Sequence, residues 1–192
     1  MSIEGTSRAS APADEGSPAA SPFPARADLG FAWSVKDSFL QYIRGMRDGD
    51  IGWNAGAAVT STGEFFFPLA GVAHVGETMI LSFRGTVSFT AHHGLLSVSV
   101  SRPRITVGDG LARLTTEVGG VEQQIAAIDL PPRIHDGDVT MWLNCAVRLS
   151  GVGPEHFGGS YAEGEQLAPL TVRIPTRSFA NAATTTESEK HD

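Results

Sequence analysis

The chain has 192 residues, 41% hydrophobic and 18% charged, with 22 Gly, 11 Pro and one Cys, which fits one soluble domain with a real core. Fourteen Lys and Arg against 21 Asp and Glu leave a formal charge of -7, so nucleic acid meets no electrostatic footprint and drops out as an expected partner. The lone Cys145 excludes an intramolecular disulfide and suits a reducing compartment, and no apolar stretch reaches the roughly 18 to 20 residues of a membrane-spanning helix.

Residues 1 to 28 hold four Pro among Ser, Ala and acids. Such a stretch buries too little apolar surface to offset its ordering entropy, and it reads as a disordered tail without the basic and apolar regions of a secretory leader. The expected location is therefore cytoplasmic. Residues 180 to 192 are Thr-rich and acidic and read as a second tail, leaving a single domain from 29 to 179.

The first element is an amphipathic helix, with Val35, Phe39, Tyr42 and Met46 at helical spacing, Ser34 and Asp37 as a weak capping box and Gly45 as the stop. From Thr78 the period becomes two. Leu81, Phe83, Val87 and Phe89 alternate with polar residues as one long half-buried strand; Leu96 to Val100 and Val139 to Leu149 alternate in the same way. Weaker strand signals lie at Glu64 to Phe67, Ile105 to Val107, Leu111 to Val118, Val121 to Asp129 and Leu170 to Ile174. Turn pairs Asp109-Gly110, Gly119-Gly120 and Asp136-Gly137 make hairpins of their neighbours. The expected fold is mainly β: an antiparallel sandwich or partly open barrel with one N-terminal helix packed on it, and not a doubly wound sheet.

Chemistry-bearing motifs are sparse. There is no G-x-S-x-G, H-E-x-x-H, C-x-x-C or P-loop, and the six His show no spacing that aims two imidazoles at one metal ion, so a zinc site is not expected. Ser38 and Tyr42 stand one helical turn apart, a hydroxyl beside a phenol among apolar side chains. Spacing leaves Tyr42 open between an ordinary half-buried tyrosine and a functional one, and His92 between a hairpin-turn histidine and a functional one.

The run Phe31-Ala-Trp-Ser-Val-Lys-Asp-Ser-Phe-Leu-Gln-Tyr42, followed by Gly52-Trp53 and Gly56-Ala57, resembles the opening of the HtaA-type haem-binding domain of actinobacterial haem-uptake proteins, a W-x-V-K-x-S-F-x-x-Y pattern. The run from Phe83 through His92-His93-Gly94 to Ile105 is similar to that family's F-x-G-x-V-x-F-x-G-H-x-G strand pair. Ala91 stands where the family usually has Gly, and Arg102 where it usually has Asn. Phe157 to Gly164 and Leu167 to Leu170 resemble its closing segments. The resemblance implies a β-rich domain holding ferric haem b, with Tyr42 as the axial iron ligand and His92 hydrogen-bonded to it. Ser38 is then a second hydrogen-bond donor to the tyrosine oxygen or a propionate, and Phe39, Trp53, Phe83 and Phe89 are candidates for the apolar wall. Arg44, Arg84 and Arg104 are candidate propionate partners. Phenolate is a hard anionic donor that matches Fe(III), and with a free pKa of about 10 it needs iron and a hydrogen bond to persist at neutral pH.

The resemblance and the composition together give intracellular haem holding, or hand-over to another haem-transfer protein. Two other classes compete. One is an intracellular enzyme using Tyr42 and His92 for acid/base chemistry on a small apolar molecule, which needs a closed pocket where haem needs a wide apolar slot. The other is a module that pairs through a sheet edge with a partner or with a second copy as a homodimer.

Overall fold

The computed structural model describes residues 28–182. The expected tails fall outside the described residues, apart from Asp28 and the final three residues of a closing 3-10 segment, Thr176–Ala182. In chain order the elements are β1 (Gly30–Trp33), α1 (Asp37–Gly45), β2 (Asp50–Asn54), β3 (Ala58–Val59), β4 (Phe65–Val75), β5 (Thr78–Phe83) and β6 (Thr86–Ala91). There follow β7 (Leu96–Ser101), β8 (Arg104–Gly108), β9 (Leu111–Val118), β10 (Val121–Asp129), β11 (Ile134–Asp136), β12 (Val139–Leu149), the single turn α2 (Gly153–His156) and β13 (Gln166–Pro175).

Eight antiparallel strands close on themselves in the order β1, β13, β12, β10, β9, β8, β5, β4, because β1 pairs with β13 on one side and β4 on the other. Closure removes the edges that an open sheet exposes. The short strands β3 and β11 flank β4 and β12, and β2, β6 and β7 form a separate three-stranded sheet under α1. The fold is mainly β with a helix packed on it, as expected, and the sheet is a closed barrel with additions. No helix among the described residues is long and apolar enough to cross a membrane.

Two expectations are corrected. The long strand across Leu81 to Phe89 is two strands in two sheets. Up to Phe83 the chain pairs with β4 and β8; from Thr86 it pairs with β2 and β7. The switch falls at Gly85, whose φ is +107° and whose missing Cβ leaves room for the Ala57 backbone nitrogen, 2.6 Å from where that atom would stand. Alternation runs unbroken through the switch, since Leu81, Phe83, Val87 and Phe89 are all buried.

The helix starts later than its apolar spacing suggests. Ser34 provides no cap: the helix begins at Asp37, its N-cap is Lys36, and no side chain bonds the cap. The sheet holds the preceding residues instead. Trp33 is fully buried with its Nε1–H donating to the Ala168 carbonyl at 2.9 Å, and the Val35 carbonyl accepts the Ala168 N–H at 2.8 Å. The helix buries Phe39, Leu40 and Ile43, so Tyr42, expected on the same face as Phe39, stands at the border between core and solvent. Phe31 stacks on Phe67 and meets Phe83 edge-on, both at 4.7 Å, inside the barrel. Phe39 meets Phe89 and Phe157 edge-on at 5.1 and 5.5 Å under the helix.

Candidate functional site

One face of α1 overlooks an open cavity of about 640 Å³, bounded by Ser38, Phe39, Tyr42, His92, Leu95, Leu96, Phe157, Gly158, Ser160 and Tyr161. That volume lies within the roughly 300–1,000 Å³ typical of small-molecule pockets. Every wall comes from α1, the 3-10 turn His92–Gly94 and Leu95 after it, the start of β7 or the segment after α2; the barrel strands contribute none.

Ser38 and Tyr42 reach the cavity together because they are four residues apart on one helical face. Phe39 forms the floor, fixed by its contacts with Phe89 and Phe157. His92 arrives from the far side, at the top of β6, and its Nε2 is hydrogen-bonded to the Tyr42 Oη. The two rings stand 5.9 Å apart between centroids and are tilted by 45°. Fifty residues of sequence thus separate a phenol and an imidazole that meet in one hydrogen bond. With the proton of the neutral imidazole on Nδ1 the phenol O–H donates to Nε2; with it on Nε2 that N–H donates to the phenol oxygen. Tyr42 is 44% exposed and Leu95 91% exposed, so the pair stands on the solvent side of the cavity.

The remaining wall comes from the segment Phe157 to Tyr161. Gly158 and Gly159, at φ +81° and +70°, turn the chain so that Phe157 is buried beside Phe39 while Ser160 and Tyr161 reach the rim. A Cβ at Gly158 would lie 3.0 Å from Leu96 Cδ1. Lys36 stands behind Tyr161, its Nζ 5.5 Å from the ring centroid, paired with Glu165 Oε1 and the Gln166 carbonyl at 2.9 Å each. His156 donates its Nε2–H to the Ser99 carbonyl at 2.9 Å and packs edge-on against Phe157. Burial pushes its pKa down, with the carbonyl opposing that shift.

The structure therefore brings together Tyr42, His92, Ser38 and Phe39 on one cavity. Phe89 is fully buried behind Phe39 and touches no cavity surface, and Phe83 lies in the barrel core. Trp53, half-exposed, and Arg44 line a different depression of about 430 Å³ on the other side of α1. Arg104 is paired with Glu122 and Arg84 is exposed near Gly56, so none of the three arginines lines the Tyr42 cavity. Leu95, Phe157, Ser160 and Tyr161 were missed as walls because they lie in segments without regular period, and Leu96 because it read only as the start of an alternating strand; the Gly158-Gly159 pair was the one local sign of a sharp turn. Among the described residues no three His, Cys, Asp or Glu side chains gather around a common point.

An eight-stranded barrel with a helix and a three-stranded sheet appended, and a tyrosine bonded to a histidine at their junction, define a class that comparison with known proteins identifies. The HtaA (Htaa) family profile matches residues 28–173, and the chain belongs to that family. Its fold is that of the C-terminal domain of HtaA from Corynebacterium glutamicum, with 23% identity, a TM-score of 0.64, and 76% of this chain and 94% of that one covered. The N-terminal domain of the same protein gives 23%, 0.63, 76% and 96%. The heme binding protein HtaB from Corynebacterium glutamicum gives 21%, 0.58, 74% and 90%. Among curated protein sequences nothing matches.

Proposed function

We propose that this chain binds haem in the Tyr42 cavity, with the Tyr42 oxygen as iron ligand and His92 holding that oxygen by a hydrogen bond. The observation that carries the reading is the Tyr42–His92 bond at the mouth of an apolar-walled cavity of about 640 Å³. It is supported by membership of the HtaA family and by a structural neighbour described as a heme binding protein. The donor set fits the ligand. A phenolate is a hard anionic oxygen suited to Fe(III), and an imidazole that donates from Nε2 stabilises the phenolate and fixes its direction. Phe39 and Phe157 offer an apolar surface to a porphyrin, while Ser38, Ser160 and Tyr161 put hydroxyls on the rim for the carboxylates.

The bound haem is cargo in this reading, held in the cytoplasm for storage or transfer. An acid/base enzyme would enclose its substrate, and the exposure of Tyr42 and of Leu95 supports the carrier over it. Ferric haem b is the proposed species, because phenolate favours Fe(III) over Fe(II).

The test is a haemin titration of the apo protein followed by absorbance. Wild type gives a saturable one-to-one Soret change with a visible phenolate-to-iron band. Tyr42→Phe loses that band and binds at least 100-fold more weakly; His92→Ala keeps the band, shifts it, and binds about 10-fold more weakly. Equal, non-saturating spectra from wild type and Tyr42→Phe would refute the proposal. Fractionation of cells expressing the untagged chain, followed by immunoblotting, checks the cytoplasmic location.

A further inference from the structure

His92 is presented by a turn that L residues adopt reluctantly. His92, His93 and Gly94 follow one another at φ +54°, +56° and +85°, and left-handed backbone crowds the Cβ of the two histidines against the following carbonyl. Something outside the turn must hold it there.

Asp48 is placed to do so. Its carboxylate accepts the backbone N–H of His93, and its Oδ2 lies 3.4 Å from His93 Nδ1. The His93 amide is the main reason the Asp48 carboxyl sits below the usual carboxylate range, with the His93 ring and the His92 backbone acting in the same direction. Asp48 also belongs to the loop that leaves the helix of Tyr42. That loop folds tightly back on the helix end: the Met46 N–H donates to the Ile43 carbonyl and the Gly49 N–H to the Met46 carbonyl, both at 3.2 Å. A Cβ at Gly49 would come within 1.8 Å of the Ile43 carbonyl oxygen, so a side chain there would force the loop off the helix.

We infer that Asp48 is a positioning residue: it fastens the left-handed His92 turn to the end of the Tyr42 helix, so that one loop sets the distance between the phenol and the imidazole. The inference rests on the haem reading for its consequence, but its geometry belongs to the protein alone. Asp48 lies outside the cavity walls and would touch no ligand there. It acts through His92, whose Nε2 must stay on the Tyr42 oxygen for that oxygen to be held as phenolate. The His93 ring is almost fully exposed, so His93 contributes through its backbone amide.

The experiment uses the full chain as wild type, Asp48→Ala, Asp48→Asn and, as a loop control, Asp50→Ala, with and without haemin. In the apo protein, amide exchange at His93 and the His92 ring nitrogen shifts are read by NMR. Asp48→Ala frees the His93 amide by at least 10-fold in exchange rate and moves the His92 Nε2 signal; Asp48→Asn, which keeps an acceptor oxygen, preserves most of both, and Asp50→Ala changes neither. With haemin, Asp48→Ala weakens binding about 10-fold and moves the visible band toward that of His92→Ala. Asp48→Ala combined with His92→Ala is no weaker than His92→Ala alone, since the two act in series. Unchanged His93 exchange and an unchanged His92 signal in Asp48→Ala would overturn the inference. If wild type fails to bind haemin, the haem reading falls, and the apo spectra still decide what Asp48 holds.

Discussion

Gly85 decides where the chain leaves the barrel and starts the strand that ends at His92. It combines a φ of +107° with a Cβ position only 2.6 to 2.9 Å from the Ala57 backbone and side chain, so alanine there meets both backbone strain and a clash. Gly76, at φ +58° in the hairpin between β4 and β5, has nothing within 4 Å of its Cβ position and isolates the strain alone. Left-handed backbone at a non-glycine residue costs about 1–2 kcal/mol, and displacing the Ala57 segment adds to it. Gly85→Ala is expected to lower stability by about 3 kcal/mol and Gly76→Ala by about 1 kcal/mol, measured by urea unfolding. Equal losses would mean that Ala57 gives way without cost and that the sheet switch does not depend on close approach.

At the scale of elements, the turn α2 and the segment after it form a wall whose position is tied to β7 by His156. The imidazole donates to Ser99 in its neutral form, and burial holds its pKa below 6.5. The unfolded chain therefore binds a proton more readily, and stability falls as pH drops through 6.5 toward the folded pKa. Thermal melts from pH 7.5 to 5 should show a decline in wild type that is shallower in His156→Gln, which removes the titrating group. A parallel decline in both would assign the pH dependence elsewhere. Such elements differ in how far the sequence foretells them. Val121–Asp129 and Val139–Leu149 were legible to the residue because Gly119-Gly120 and Asp136-Gly137 mark their starts, and in the second the side chains of the sequence alternate as well. The strand β1 was not, since Gly30, Phe31 and Trp33 are all buried and its pattern has no polar face. The helix start was misread because Val35 continues the apolar spacing while its backbone, at φ +62°, is held by the sheet. In the site, periodicity explained why Ser38 and Tyr42 share a face. It carried no information on the meeting of Tyr42 with His92, a contact made by two separate elements and signalled only by the family resemblance.

The whole molecule divides its labour between a barrel that supplies stability and an appended sheet, helix and turn that supply the cavity. The barrel closes at β1, where Phe31 is fully buried between Phe67 and Phe83. The strand runs so near β4 that a Cβ at Gly30 would lie 2.3 Å from the Phe67 carbonyl oxygen. Phe31→Ala leaves a void that these neighbours can refill only by breaking the seam, at a cost of about 3–5 kcal/mol. Domains commonly hold about 5–15 kcal/mol, which exceeds this loss except at the low end, so the variant is expected to stay folded, and circular dichroism checks this before binding is read. None of the cavity walls lies on a barrel strand, and the two functions should therefore separate. Phe31→Ala loses stability in guanidinium unfolding while binding haemin within about threefold of wild type, whereas Tyr42→Phe unfolds near the wild-type midpoint and has lost the ligand. A Phe31→Ala protein that is folded by circular dichroism yet binds haemin 10-fold more weakly would show that the seam reaches the cavity, through the aromatic contacts that run from Phe65 by way of Phe89 to Phe39.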